Sequence, residues 1–487
     1  LRGFDQRNTS FLINGQPVND MENGWVYWSN WQGLTDVASG IQLQRGLGAS
    51  RLAVPSVGGT VSIFTKAAEA RKGSSVQQSF GNDGYFKTTV AHSTGLNENG
   101  WATSVLLSKW QGDGYIYNTK GEGYTYFFAL GYAPEDSDHS VNFSFLGAGQ
   151  QHHQRDVWVS IRDYQNFGEE GIDRRWNSNG GVLNGEEFSM RRNFYNKPLA
   201  TLNWDWEIND NLKLATSLYG SAGRGGGTGP RGRSYYNSET DILPFRKDLT
   251  EHYLENGRGS RTPDGFIDFD AVVAYNQANT DPYSGDLPFA GQLIGSNGFD
   301  EDGVNRSALV RRASMNSHDW VGAISNLEYE SGNWKYSVGI DLRNYTGYHY
   351  RVLNNLMGLD GYYSTGNKNS AGQIINTLVE ANPFQNTGIK GPKIDYYNVG
   401  KVGWQGFNGL VEYNNEKISA VLQAGASNQS FQRIDYFDQP ANPESDTKNQ
   451  DGGYIKGGAN YNIDAKQNVF FNAGVISRQP QFGGVFP

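Results

Sequence analysis

Four aromatic rings fall within seven residues, at Trp25, Tyr27, Trp28 and Trp31 of the segment VNDMENGWVYWSNWQGL. Rings so placed do one of two things: they stack on a sugar face or an aromatic chelator, or they wedge one element against another by burying a large apolar area. The spacing alone leaves both readings open. Two acidic clusters, Asp264, Asp268 and Asp270, and then Asp300, Glu301 and Asp302, gather hard oxygen ligands on glycine-containing stretches. That donor set suits Ca2+. Ser260 and Thr262 stand where the first carboxylates of an EF-hand loop belong, so solvated acidic loops are the preferred reading and a loop-bound Ca2+ the alternative. His152 and His153 are adjacent in a strand-like stretch and point to opposite faces, so they do not share a metal. The run Gly223 to Arg233, GRGGGTGPRGR, lacks the terminal Lys-Ser/Thr of a phosphate loop and reads as the mobile start of a long surface loop. There is no HExxH, no G-x-S-x-G and no nucleotide loop, and nothing in the chain points to an enzyme or to a resident cofactor.

Composition narrows the elements that must position these residues. Only 37% of the 487 residues are hydrophobic, yet aromatics reach 13%, with 28 Tyr, 25 Phe and 12 Trp. Mean hydropathy is -0.63. A water-soluble core of this size would need more aliphatic side chains, whereas strands with one apolar face and aromatic ends suit the mixture. No apolar run approaches the roughly 20 residues of a spanning helix, so a membrane location requires a closed barrel. The absence of cysteine excludes disulfides and thiolate sites. A net charge of -9 argues against nucleic acid, which needs clustered Lys and Arg.

The strands are legible by alternation. In 334–343, Trp334, Tyr336, Val338, Ile340 and Leu342 are apolar while Lys335, Ser337, Gly339, Asp341 and Arg343 are small or polar. Residues 202–208 and 418–427 repeat the pattern, with Asp205 and Glu207 on the polar face of the first. Loop lengths then distinguish a barrel from a sandwich. Short turns at 96–100, 133–139, 209–211, 331–333, 414–417 and 464–467 take turns with long connections at 111–122, 150–198, 222–318, 350–400 and 435–452. Brief turns on one side and large loops on the other are the barrel pattern. About thirteen strands are expected, with Trp101, Tyr132, Trp206, Tyr329, Trp334, Tyr413 and Tyr461 forming an interfacial girdle beside the short turns.

Ahead of the strands lies GIQLQRGLGASRLAVPSVGGTVSIFTK at 40–66, containing Arg45-Gly46, Gly48-Ala49-Ser50, Gly58-Gly59-Thr60-Val61-Ser62-Ile63 and Thr65-Lys66. Upstream are Arg2-Gly3 and Leu12-Ile13-Asn14-Gly15-Gln16-Pro17. As an ordered set these resemble the plug domain of TonB-dependent outer-membrane receptors. The resemblance implies an all-β protein: the C-terminal part of a plug at 1–70, and at 71–487 the N-terminal part of a transmembrane antiparallel barrel. Such barrels have about 22 strands when complete. The chain starts inside the plug pattern and ends on a loop-like QFGGVFP, and reads as an internal portion of a longer protein.

The same resemblance implies active import of a scarce solute across the outer membrane of a Gram-negative bacterium, driven by the TonB-ExbB-ExbD complex. The long loops and aromatic apex are similar to the branch capped by a surface lipoprotein. The solute is an oligosaccharide, peptide, siderophore or vitamin; the alternative is an adhesion or structural component anchored by its barrel. Solute must be captured before the gate, which makes Trp25, Tyr27, Trp28 and Trp31, with Trp158, Tyr164 and Tyr283 of the loops, the expected binding residues. Arg2 and Arg45 of the plug are candidates to meet wall carboxylates such as Asp205, Glu207 and Asp341, and Arg45 is expected to reach a carboxylate either on the barrel or within the plug.

Overall fold

The computed structural model describes residues 3–45, 57–65, 67, 70–155, 161–166, 172–232, 261–262, 264–277, 293–295, 309–370, 372–385, 387–439 and 441–487. Asn14 and Gly15 both take positive φ, 49° and 87°, which is the two-residue turn geometry that an Asn-Gly pair accepts with little strain. The turn joins β1 (Thr9–Ile13) to β2 (Gln16–Pro17). With β3 (Gly40–Arg45) and β4 (Gly59–Phe64) these make a small sheet of order β2-β1-β4-β3, parallel only between β1 and β4.

From Gly73 onward the chain builds a single large antiparallel wall. Its first strands are β5 (Gly73–Phe80), β6 (Phe86–Ser93), β7 (Trp101–Gly112), β8 (Gly121–Tyr132) and β9 (His139–His153). A side sheet of β10 (Gly180–Leu183) and β11 (Glu186–Ser189) follows, then β12 (Arg192–Asn196), β13 (Leu199–Asn209) and β14 (Leu212–Gly232). After the short β15 (Ile267–Asp268) and β16 (Leu293–Gly295), the wall resumes with β17 (Leu309–Ser331) and β18 (Trp334–Asn355). The loop strands β19 (Gly361–Ser364) and β20 (Gln373–Ile375) precede β21 (Ile394–Asn414), β22 (Ile418–Asp435), β23 (Lys448–Asn462) and β24 (Asn468–Ser477). The strands β12 and β13 both pair with β9 and β14, so they occupy one place in the wall, interrupted at Lys197-Pro198 where proline has no N–H to donate. Among the described residues the wall therefore has thirteen positions, the number read from alternation.

Alternation is realised in burial. Val338, Ile340 and Leu342 are 46–48% exposed on the outer face of β18, whereas Ser337 and Asp341 on its inner face are 6% and 0% exposed. The outward apolar positions run from Trp334 to Leu342 and stop at Asn344 and Thr346; at about 3.3 Å per residue this is a band close to the ~25 Å of a barrel's lipid belt. The expected girdle is present as paired rings at the short-turn end: Trp101 lies 4.7 Å from Tyr132, and Trp334 lies 4.8 Å from Tyr413.

Strand length departs from expectation. The four strands β14, β17, β18 and β21 have 21, 23, 22 and 21 residues, about twice the 9–11 a tilted membrane strand needs. The glycine-rich run at 223–232 is not the start of a loop: it continues β14, and Gly226 to Gly232 pair residue by residue with Met315 to Leu309 of β17. Beyond the lipid belt both faces of a strand meet water or loops, and the apolar alternation that marks a strand in sequence disappears there.

Candidate functional site

The small sheet and the wall share their cores. Ile13, Val18, Trp31, Leu34 and Ile63 pack with Leu106, Phe127, Leu146 and Leu199 of β7, β8, β9 and β13. On the other side Leu12 and Met21 join Trp320, Tyr345, Trp404 and Phe431 of β17, β18, β21 and β22. All these wall residues lie on the inner face, so the N-terminal sheet sits against the concave side as a plug.

Polar contacts fix its height and rotation. Near the short-turn end, Asn14 Nδ2 donates to Ser144 Oγ at 3.0 Å, Asn203 Nδ2 donates to the Asn14 carbonyl at 3.0 Å, and the Ala67 amide donates to Asn142 Oδ1 at 3.1 Å. Toward the long-loop end the plug segment 20–37 is held at several places around the wall. The Tyr345 hydroxyl donates to Asp20 Oδ2 at 3.0 Å, His349 Nε2 lies 2.7 Å from Glu22 Oε2, Thr125 donates to the Gln32 carbonyl at 3.0 Å, and Lys87 Nζ lies 2.5 Å from Asp36. The Lys197 ammonium sits 5.4 Å from the Trp31 ring and 5.5 Å from the Trp320 ring, between plug and wall.

The Glu22 carboxylate is 7% exposed as a residue and lies against the backbones of Gly347 and Gly400, where an added Cβ would come within 2.7 Å and 2.0 Å of its oxygens. Burial raises its pKa, against the lowering pull of His349. Burial alone would lower His349, but the hydrogen bond to Glu22 and the charge of Glu22 outweigh it and hold the imidazole above its ordinary value. Both groups lie beyond the lipid belt, which ends at Leu342.

The aromatic cluster divides. Trp31 is 6% exposed and belongs to the shared core, so it is a packing ring with no face for a ligand. Trp25, Tyr27 and Trp28 are 39%, 52% and 50% exposed; Arg7 lies 5.2 Å over Trp25, and Trp28 stands edge-on to Phe11 at 5.0 Å. Tyr164, on the short helix Ile161–Asn166, stands edge-on to the buried Trp176 at 5.6 Å. Trp158, Tyr283, Asp300, Glu301, Asp302 and Arg2 lie outside the described residues, as does the side chain of Arg45.

The expected wall carboxylates are placed differently from one another. Asp341 is fully buried on the inner face and accepts from Nε of Arg343, two residues along the same strand, at 2.9 Å. The Glu207 side chain is 63% exposed and pairs with Lys213 at 2.7 Å across the β13–β14 turn. Asp205 lies on β13 two residues from the plug-contacting Asn203. The acidic loop residues are engaged locally: Asp264 accepts from the Thr262 hydroxyl, Asp268 accepts from the Ala271 amide at 2.8 Å at a helix start, and Asp270 accepts from the Asn184 amide at 2.8 Å. Among the described residues no three His, Asp or Glu side chains gather as a metal site.

Two features were not anticipated. One is the Glu22–His349 contact, between residues 327 apart in sequence. The other lies inside the long-loop end, where Arg231 and Arg351 converge on Asp395, with Nη contacts of 3.1 and 2.7 Å, and the Tyr362 hydroxyl donates to the same carboxylate at 3.2 Å. The only sequence signal for either was the inward parity of His349 and Arg351 on β18.

No protein-family model matches the sequence, and no curated protein matches it. Solved structures do. The chain is similar to the ferric citrate transporter FecA in its unliganded form, at 13% identity and a TM-score of 0.59 over 97% of this chain and 55% of that one. It is similar to the ferric-catecholate import receptor Fiu from E. coli K12 in its open form, at 13% identity and a TM-score of 0.60 over 98% and 64%. It is also similar to the copper transporter OprC, at 11% identity and a TM-score of 0.60 over 100% and 57%. At these identities the likeness is one of fold. The chain spans between 55% and 64% of the length of these three proteins.

Proposed function

We propose that this chain, whose fold is the plug and β-barrel of the TonB-dependent outer-membrane receptors, belongs to an active importer that captures a scarce solute at the long-loop end and admits it when the plug moves. One observation carries the reading: a separate small sheet is wedged against the concave face of a membrane-type wall and shares two apolar cores with it. An anchor or passive pore has no use for such an obstruction, and a gate requires one.

On this reading the long loops are extracellular, the short turns periplasmic, and the protein resides in the outer membrane of a Gram-negative bacterium. Energy reaches the plug through the TonB-ExbB-ExbD complex, and a surface lipoprotein closing over the long loops is a compatible partner. The three solved neighbours are named for carrying ferric citrate, ferric catecholates and copper, which supports a metal or metal chelate as cargo. The exposed rings of Trp25, Tyr27 and Trp28 suit an aromatic chelator or the face of a sugar equally well.

The test is uptake of the molecule that copurifies with the native protein. Deleting the energy-coupling complex is expected to abolish its uptake while cells still bind it at the surface. Uptake that persists would make the barrel a passive or structural component.

A further inference from the structure

The wall carries a dent on its outer face. In β9 the outward positions that follow Phe143 and Phe145 are Gly147 and Gly149, and neighbouring rings occupy the space their side chains would fill. A Cβ on Gly147 would lie 2.1 Å from the Tyr126 ring, and one on Gly149 would lie 2.1 Å from the ring of Phe384. Phe384 comes from the connection between β18 and β21, which folds back over the outside of the wall. There the ring meets Tyr124 edge-on at 5.8 Å. Between this overhang and strands β6 to β9 runs a groove of about 750 Å³ whose side-chain lining includes Val90, Leu107, Tyr124, Tyr126 and Phe384.

Register places each wall residue of this set on the lipid-facing side. Val90 pairs with Leu107, Leu107 with Tyr126, and Tyr126 with Gly147, while the plug packs against the opposite parity through Leu106 and Leu146. The floor is continuous with the belt: Leu107 is 66% exposed, and Val105, Phe128 and Phe145 below it are 38–40% exposed. At the upper rim apolar character ends at a charged pair, Lys109 Nζ and Glu122 Oε2 3.8 Å apart, with Lys109 also 5.3 Å over Tyr124. The groove thus opens sideways onto hydrocarbon and ends at the level where lipid head groups begin.

We propose that this groove is a binding site for one lipid of the surrounding leaflet, its acyl chain between Leu107, Tyr124 and Phe384 and its head group at Lys109 and Glu122. Continuity with the lipid belt decides the occupant. A solute on its way to the plug does not pass the outer face, and water in an apolar slot of this size has few partners. The inference rests on the membrane-spanning fold and not on the proposed cargo, so failure of either leaves the other standing.

Native mass spectrometry of the full protein, extracted in mild detergent and stripped of loosely held lipid, is expected to show one retained lipid. Phe384→Ala, which removes the roof, and Leu107→Trp, which fills the slot, should each lower that retention about tenfold, while Leu342→Trp on the distant belt of β18 leaves it unchanged. In the unmodified protein a phospholipid with a photoreactive acyl chain should label the 382–385 peptide above all others. No retained lipid, retention in both groove variants as high as in the unmodified protein, labelling spread evenly around the belt, or a retained peptide or solute would each overturn the proposal.

Discussion

Glu22 and His349 show how one residue pair can set the height of a whole domain. A carboxylate buried between two glycine backbones is desolvated at a cost, and the wall imidazole, with Tyr345 beside it, offsets part of that cost. Asp20, Tyr27, His318, Tyr345 and Arg433 are the other charged or titratable groups that interact with the pair. Both members of the pair bind protons more tightly in the plugged state than they would apart. A raised pKa in the docked state means stability that is present below the ordinary value and lost as pH climbs through the raised one. Backbone hydrogen exchange at residues 20–24, corrected for intrinsic rate, should therefore be slower near about pH 6 than near about pH 8.5. Glu22→Gln or His349→Ala should flatten that dependence, and an unchanged profile in both variants would rule the pair out as its source. The aromatic cluster makes a second residue-scale prediction, since Trp31 is core and Trp28 is not. Trp31→Ala should cost about 3–5 kcal/mol in denaturant unfolding, whereas Trp28→Ala should cost about 1 kcal/mol or less while weakening solute binding. Equal destabilisation would mean that both rings are structural. That division was invisible in the sequence, because four rings at such spacing share one chemistry and differ only in what the wall brings to them.

At the scale of elements, the sequence was most legible where lipid and plug impose opposite demands on neighbouring residues. Each strand's belt segment alternates because its two faces meet different media, and thirteen wall positions could be counted from that alternation and from the sorting of short and long connections. Legibility failed where those demands stop. The upper halves of β14, β17, β18 and β21 leave the belt, their outer faces become polar or loop-covered, and the glycine run of β14 then looks like a linker while Gly223 and Gly226 to Gly232 pair with β17. The side of the wall still governs what a substitution does. Ile340→Arg places a charge on the lipid face and should cost about 2–4 kcal/mol in equilibrium folding into bilayers. At Gly339, one residue away, any side chain meets Asn326 Oδ1 and Asn408 Nδ2, at 2.2 and 2.8 Å from an added Cβ. Its penalty is therefore steric and already present for Gly339→Ala. If the Ile340→Arg penalty were reproduced in detergent lacking a bilayer, lipid exposure would not be its cause.

For the whole molecule, on the proposed import function, the question is which contacts must yield when the plug moves. The apolar cores on either side are extensive, and exposing both would oppose a large hydrophobic free energy. The polar contacts of segment 20–37 are placed around the wall at the long-loop end. A shift confined to that segment exposes far less apolar surface than extraction of the plug, and it couples the exposed rings of Trp25, Tyr27 and Trp28 to the contacts beside them. Locking the segment should therefore separate capture from admission. These 487 residues contain no cysteine, so Asp36→Cys with Lys87→Cys introduces the only two thiols among them, at a position where plug and wall side chains meet within 2.5 Å. Joined by a short cleavable bismaleimide, the double variant should bind solute as the unlinked protein does, fail to import it, and recover import when the linker is cut. Neither cysteine alone should have this effect after the same treatment. Import at the normal rate through the cross-linked protein would show that segment 20–37 stays docked to this side of the wall during transport, and the moving part would then have to be sought elsewhere in the plug.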